Sequence, residues 1–261
     1  MKAFIQDLID YRELLYMITW RDIRVKYKQS LMGFLWAIFM PIIIIFAGIL
    51  IKFAMSRMAD KPMDISDIVT VCVKSIPWAF FAASIRGSAS SLISNTQLVT
   101  KVYFPRIVLP ISSIFSQFVD FLVAASLLII LLGVMRIGVS VHLLWIPVLM
   151  IVLIVFTCAL GMLLAATNLF YHDVGYLINA ILTFGIFFTP VYYETTKLGK
   201  IGTILLLNPV AVVLEAINDC VVYQQVPNIG WVLYSVAVSL IGIWISLIVF
   251  YKLEPKFAEN I

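Results

Sequence analysis

The stretch from Trp20 to Leu50, WRDIRVKYKQSLMGFLWAIFMPIIIIFAGIL, decides the fold. Its first nine residues carry four cations, Arg21, Arg24, Lys26 and Lys28, and its last twenty carry no charge. No Gly- or Pro-rich linker separates the two halves. About twenty apolar residues are the length of helix that crosses a bilayer's hydrocarbon core. A charged, aromatic segment is therefore joined directly to a membrane span.

On a helical wheel Tyr16, Trp20, Ile23 and Tyr27 fall in one stripe at spacings of 4, 3 and 4. Arg21, Arg24 and Lys28 line one flank, and Asp22 with Lys26 is expected as an i,i+4 ion pair on the other side. This pattern predicts an amphipathic helix in the headgroup region, aromatics at the boundary and cations toward anionic lipid. The alternative is a topogenic anchor that only orients the first span. The adjoining apolar wall holds these cations at lipid, which argues against nucleic acid as a partner.

Working outward, the chain of 261 residues is 63% hydrophobic and 12% charged, about half the charge of a soluble domain. It reads as an all-α polytopic membrane protein with a single transmembrane domain over residues 1–261. Residues 1–30 form the cytoplasmic interface helix. Residues 31–193 hold spans one to five: Leu31–Ile51, about Ile68–Ile85, within Ile107–Val134, within Leu143–Phe170, and about Val174–Tyr193. Residues 194–228 form an external re-entrant hairpin, 229–251 the sixth span and 252–261 a cytoplasmic tail. The hairpin assignment rests on IGTILLLNPVAVVLEAI, Ile201–Ile217, which is short, broken by Asn208-Pro209 and charged at Glu215. An ordinary seventh span is the alternative, and it would put the two basic ends on opposite sides.

With six spans, one side collects eleven of the eighteen Lys and Arg, including Lys2, Arg12, Arg86, Lys101, Arg106, Lys252 and Lys256. The positive-inside rule then makes both termini cytoplasmic. The first thirty residues lack the apolar core of a cleavable signal. Cys72, Cys158 and Cys220 are odd in number and far apart, and read as buried apolar groups. His142 and His172 fall on opposite sides of the membrane, so no metal site is expected.

WRDIRVKYKQSLMGFLWAIFMP at the entrance to span one, KVYFPRIVLP at Lys101–Pro110 and LNPV at Leu207–Val210 together resemble the ABC-2 type permeases. The resemblance covers essentially the whole chain. It is strongest to the polysaccharide exporters of O-antigen, capsule and teichoic acid, and among these to the O-antigen exporters. It implies half of a transporter: two copies of this chain in the membrane and two copies of a separate ABC ATPase beneath, with ATP and Mg bound by that ATPase and no cofactor in this chain. The sequence has no phosphate-cradling GxxxxGK[ST] loop, in keeping with this division. The chain is expected to be a transport subunit and not itself an enzyme. It also implies a lipid-linked glycan substrate and a Gram-negative inner membrane.

In the family, the loop after span two couples to the ATPase. Here that loop contributes Asn95, Gln97, Lys101, Tyr103, Phe104, Pro105 and Arg106. Pro105 is expected to end its helix, with Phe104 as the apolar knob offered to the partner and Arg106 beside it. A plain connector with snorkelling cations is the alternative. Spans one and five border the channel and lateral gate in the family. The candidate lining is aromatic: Phe34, Trp36 and Phe39 in span one, Trp78 and Phe81 in span two, and Phe184, Phe187, Phe188, Tyr192 and Tyr193 in span five. Sugar rings stack on such faces through their C–H side. The alternative is aromatics facing lipid or forming the interfacial belt.

Two charges lie within spans. An intramembrane acid is a functional candidate by default; the alternative, and the reading favoured for Asp120, is structural, since Ser116 and Gln117 one turn back can hydrogen-bond it, while Lys74 is close enough to its outer end to snorkel. Competing readings are an ABC-2 permease for a small hydrophobic compound, and a membrane-embedded glycosyltransferase built on Asp60, Asp64 and Asp67. A channel is disfavoured by the lack of charged rings.

Overall fold

The computed structural model describes residues 2–28, 35–58, 60, 62–135, 138, 140–171 and 173–259. Those residues form helices and turns only. In chain order they are α1 (Lys2–Asp10), α2 (Arg12–Lys28), α3 (Leu35–Met58), α4 (Ile65–Ser94), α5 (Thr96–Lys101), α6 (Val108–Val134), α7 (Trp145–Phe170), α8 (Asp173–Phe188), α9 (Lys200–Leu205), α10 (Pro209–Val221) and α11 (Ile229–Leu253). Short 3₁₀ turns at Val141–Leu144, Thr195–Leu198 and Glu254–Glu259 complete the path.

Among the described residues, five helical stretches are long and apolar enough to cross a membrane: Ile38–Met58, Ile65–Ser94, Val108–Val134, Val141–Phe170 and Ile229–Phe257. The chain is a multi-pass membrane protein. Helix α8 is apolar but only 16 residues long. The first and second spans both run further than expected. Helix α3 continues past Ile51 to Met58 because Lys52 pairs with Asp67 at 3.0 Å and the Arg57 guanidinium lies 5.2 Å from the Phe53 ring centre. Helix α4 starts at Ile65, where Asp64 and Asp67 form a reciprocal capping box that satisfies orphan N–H groups. Two of the three carboxylates considered for an embedded enzyme are thus engaged in structure.

Helix α4 is the axis of the bundle. Most of its length is buried against α6, α7 and α10. In lipid, helices gain nothing from hiding apolar surface from one another, so close packing and polar contacts decide association. Here Gly161 of α7 lets α4 approach: a Cβ at Gly161 would stand 2.6 Å from Ser88 Oγ. The Asn168 amide donates to the Ala89 carbonyl at 2.9 Å, joining the same two helices. The Ser246 hydroxyl donates to the Ala159 carbonyl, tying α11 to α7.

The core divides in two. The larger cluster runs along α4, α7 and α10. The second gathers Ile18, Val99, Phe104, Ile107, Leu169, Phe250 and Phe257, where the ends of α2, α5, α7 and α11 meet. Helix α10 begins where Asn208 caps the Val210 N–H and Pro209 occupies the first turn. Asn228 caps α11 in the same way, accepting from the Gly230 and Trp231 N–H groups.

Candidate functional site

A cavity of about 690 Å³ opens between α3, α4, α6 and α8. At one end stand Lys26, Tyr27, Arg86, Gln117 and Asp120. From there the wall runs along Ala83, Ala79 and Ile76 to Ser75 on α4, with Trp36, Trp78, Phe80, Phe121 and Tyr192 around it. Eleven residues of helix separate Ser75 from Arg86, about 17 Å at 1.5 Å per residue, or roughly half the hydrocarbon core. The cavity therefore has a charged mouth and a long aromatic body. The Ser75 hydroxyl, buried in its wall, has no protein partner among the described residues.

The aromatic candidates separate cleanly. Trp36, Trp78 and Tyr192 line the cavity. Phe39 packs edge-on against Trp36 with ring centres 5.9 Å apart, beside the cavity wall. Phe184, Phe187 and Phe188 project from α8 into the surroundings of the chain. The Tyr193 hydroxyl donates to the Phe187 carbonyl at 2.8 Å and pins the chain as it leaves α8. Phe81 is buried between Trp78, 5.6 Å away between ring centres, and Phe156 of α7, on which it stacks at 6.3 Å, and it is not part of the cavity lining. Phe34 lies outside the described residues. Phe80, the third aromatic of span two, also lines the cavity, as does Phe121 of α6, which sequence did not single out; their ring centres are 5.4 Å apart.

The charged mouth is built by the N-terminal helix. Lys26 pairs with Asp120, and the Tyr27 hydroxyl donates to the same carboxylate. Lys26 also donates to Gln117 at 3.1 Å. The i,i+4 pair expected between Asp22 and Lys26 does not form, because the carboxylate of α6 captures Lys26 and Asp22 turns to Arg21 at 2.8 Å. Burial, then the bond to Asp120, pushes the Tyr27 hydroxyl above its ordinary pKa, so it remains a donor. Asp120 is held by α2, not by Ser116 and Gln117 on its own helix as expected. Trp20, Arg24 and Lys28 face outward, the Arg24 guanidinium 5.8 Å from the Trp20 ring centre.

Arg21 reaches further still and donates to the Asn95 side chain at 2.7 Å. Two segments that sequence treated separately, the interface helix and the loop after span two, are thereby in contact. The loop itself departs from expectation. Its helix α5 ends at Lys101, four residues before Pro105, and Gln97 and Lys101 are exposed on it. Phe104 is 7% exposed and sits in the second core cluster, whereas Tyr103 is 98% exposed. The outward aromatic of this loop is Tyr103. Arg106 turns inward: its backbone N–H donates to Glu254 at 2.7 Å and its guanidinium to the Glu254 carbonyl.

At the opposite end of α4, Lys74 is wholly buried. It donates to Glu215 of α10 at 2.7 Å and to the Tyr193 carbonyl at 3.1 Å. The other Glu215 oxygen accepts the Thr195 N–H at 2.8 Å. Lys74 does not snorkel as expected, because α10 supplies a carboxylate at its own depth.

The ABC-2 type transporter profile matches residues 13–221, from α2 to the end of α10. The chain belongs to the ABC-2 type transporter family. Along its whole length this permease is 26% identical to the O-antigen export system permease protein RfbA of Myxococcus xanthus, covering all of both chains. It is 27% identical over 254 residues to a protein of the same name from Klebsiella pneumoniae, and 28% identical over 249 residues to a second one from that organism. Each alignment covers 95% of the permease and 94% of the Klebsiella relative. The matched segment of the permease contains the cavity and its charged mouth, and the loop bearing Tyr103.

Proposed function

We propose that this permease is the membrane subunit of an ATP-driven exporter that carries a lipid-linked polysaccharide, an O-antigen, across the cytoplasmic membrane. The observation that carries this reading is the cavity between α3, α4, α6 and α8, aromatic along its body and charged at its mouth. Its wall offers ring faces to sugars, and its position beside the exposed faces of α3 and α8 leaves a side route for a lipid tail. The full-length likeness to chains named as O-antigen export permeases supports the same substrate class.

In this reading the permease works as a homodimer with two copies of a separate ATPase, which binds ATP and Mg. The exposed apolar residues of α3 and α8, including Phe46, Phe184 and Phe188, face the second copy and the lipid. Helix α8 with the turn through Tyr193 forms the fifth of six spans, and α9 and α10 form the re-entrant pair before the sixth. Both termini are cytoplasmic, and α2 with α5 and Tyr103 faces the ATPase.

The test is a chromosomal deletion complemented by the tagged permease. The expected result is loss of surface O-antigen in the deletion, intracellular accumulation of lipid-linked glycan, rescue by the tagged chain, and co-purification of a nucleotide-binding subunit in equal amount. Undiminished surface glycan in the deletion would overturn the reading.

A further inference from the structure

A second cavity, of about 520 Å³, lies between the Thr195–Leu198 turn, α9, α10 and the first turn of α11. It shares no lining residue with the cavity described above. The segment from Tyr192 to Thr195 runs between them: Tyr192 lines the first and Thr195 the second. The volume falls within the range of small-molecule sites, about 300–1,000 Å³.

The chemistry of its wall narrows the occupant. Glu215 is already committed to Lys74 and to the Thr195 N–H, so its charge is balanced. Asp219 uses one oxygen on the Gln225 amide, 3.3 Å away, and keeps the other. Asn228 spends its oxygen on the α11 cap, and its amide N–H groups have no partner among the described residues. The Thr196 and Thr203 hydroxyls and the Trp231 indole N–H likewise have no hydrogen-bond partner among the described residues. The wall thus presents the paired Glu215, the Asp219 carboxylate, several neutral donors and acceptors, and the Trp231 indole, whose ring also meets Tyr234 at 5.8 Å between centres. An anion is disfavoured by the carboxylate. A hard cation is disfavoured because no group of three or more His, Cys, Asp or Glu comes together among the described residues. An alkyl chain would strand the polar groups. A neutral ring bearing many hydroxyls satisfies all of them: its hydroxyls pair with Asp219, Asn228 and the threonines while its C–H face lies on Trp231.

We propose that this pocket binds a pyranose ring, one unit of the exported glycan, as a subsite distinct from the translocation cavity. The inference rests on the exporter reading for its substrate class and for placing the pocket on the outer side.

The test is saturation-transfer NMR on the full-length permease in lipid nanodiscs. The probes are the methyl glycosides of glucose, galactose, mannose and rhamnose. At least one should receive saturation at its ring protons. The signal should fall about tenfold in Trp231→Ala and in the near-isosteric Asp219→Asn, the size of one lost polar or stacking contact. It should survive in Trp36→Ala. Thr203→Val, which keeps the side-chain shape, gives an independent loss if Trp231→Ala does not fold. Absence of saturation for every glycoside, or equal signal in all pocket variants, overturns the proposal. So does full competition by tetramethylammonium, which would mark an ammonium site on the indole face. If Trp36→Ala abolishes O-antigen export while no glycoside binds, the exporter reading stands and this pocket falls. If glycosides bind but surface glycan is independent of the permease, the exporter reading falls and the pocket stands.

Discussion

Lys74 and Glu215 form an ion pair of 2.7 Å across 141 residues of sequence, joining the N-terminal third of the bundle's axial helix α4 to α10. Lys74 has no exposed surface, and Glu215 keeps only a small fraction. Removing one partner strands a buried charge, which costs about 3–5 kcal/mol, whereas replacing both by apolar groups is close to neutral. Lys74→Met is therefore expected to lower the melting temperature sharply and the double variant Lys74→Met with Glu215→Leu to recover most of it. Thermal unfolding in detergent, followed by size-exclusion chromatography, measures both. Equal melting of single and double variants would show that the pair is not what binds the helices.

Tyr103 and Phe104 are neighbours with opposite roles. Tyr103→Ala should leave the folding stability within about 0.5 kcal/mol of the parent, as surface substitutions do, and lower export per ATP hydrolysed. Phe104→Ala should destabilise the permease by about 3–5 kcal/mol, as a core truncation. If Tyr103→Ala exports normally at normal ATP cost, the loop does not present that residue to the ATPase.

How much of this was legible in the sequence depends on the contrast each residue meets. Five of the six expected spans were legible because hydropathy alone separates them from their loops, and the start of α10 because Asn208-Pro209 breaks the apolar run there. Which face of a span turns inward was not legible. Lipid and protein interior are equally apolar, so no amphipathic stripe distinguishes Phe80, which lines the cavity, from Phe81, which packs on α7. The partners of Lys74 and Asp120 were hidden for another reason: each lies on a helix far away in sequence, and local spacing offered Ser116, Gln117 or the membrane surface instead.

Lys26 and Asp120 are partly exposed, so their pairing contributes less than about 1 kcal/mol to folding. Its effect should appear in position, not in stability. Asp120→Asn is expected to melt like the parent while a spin label at Arg24 gains mobility. The exchange of Lys26→Asp with Asp120→Lys should restore both the label's immobilisation and export. A label equally restrained in Asp120→Asn would mean that the apolar contacts around Ile18 hold α2 unaided.

Gly48 marks where α3 closes on α4. A Cβ there would lie 2.6 Å from Val71 and 2.7 Å from the Tyr192 ring. Gly48→Val should force the helices apart, cost about 1–3 kcal/mol as overpacking does, and alter the route between α3 and α8. Export assays paired with melting curves check this. Wild-type values in both would show that α3 yields at this point without consequence.

Trp78 and Phe184 test the cavity against the exposed face of α8. Trp78→Ala removes a buried ring from the cavity wall; it should destabilise the permease by about 3–5 kcal/mol and, per folded molecule, reduce glycan export about tenfold, the loss of one stacking contact of roughly 1–1.5 kcal/mol. Phe184→Ala should have a smaller effect on export. The reverse order would move the glycan's path from this cavity to the outer face of α8.

The last turn of the chain has a mechanical consequence. Phe257 is wedged between Phe250 of α11 and Phe170 of α7, while Glu254 holds both the backbone and the guanidinium of Arg106. The segment carrying Tyr103 is thus riveted to the foot of the final span. A close-packed cluster transmits strain without absorbing it. A load applied at Tyr103 is shared between the axial helix α4, from which the segment hangs, and α11 on the far side of α7. If Tyr103 meets an ATPase as proposed, a push there reaches α4 and α11 together, both of them packed on α7.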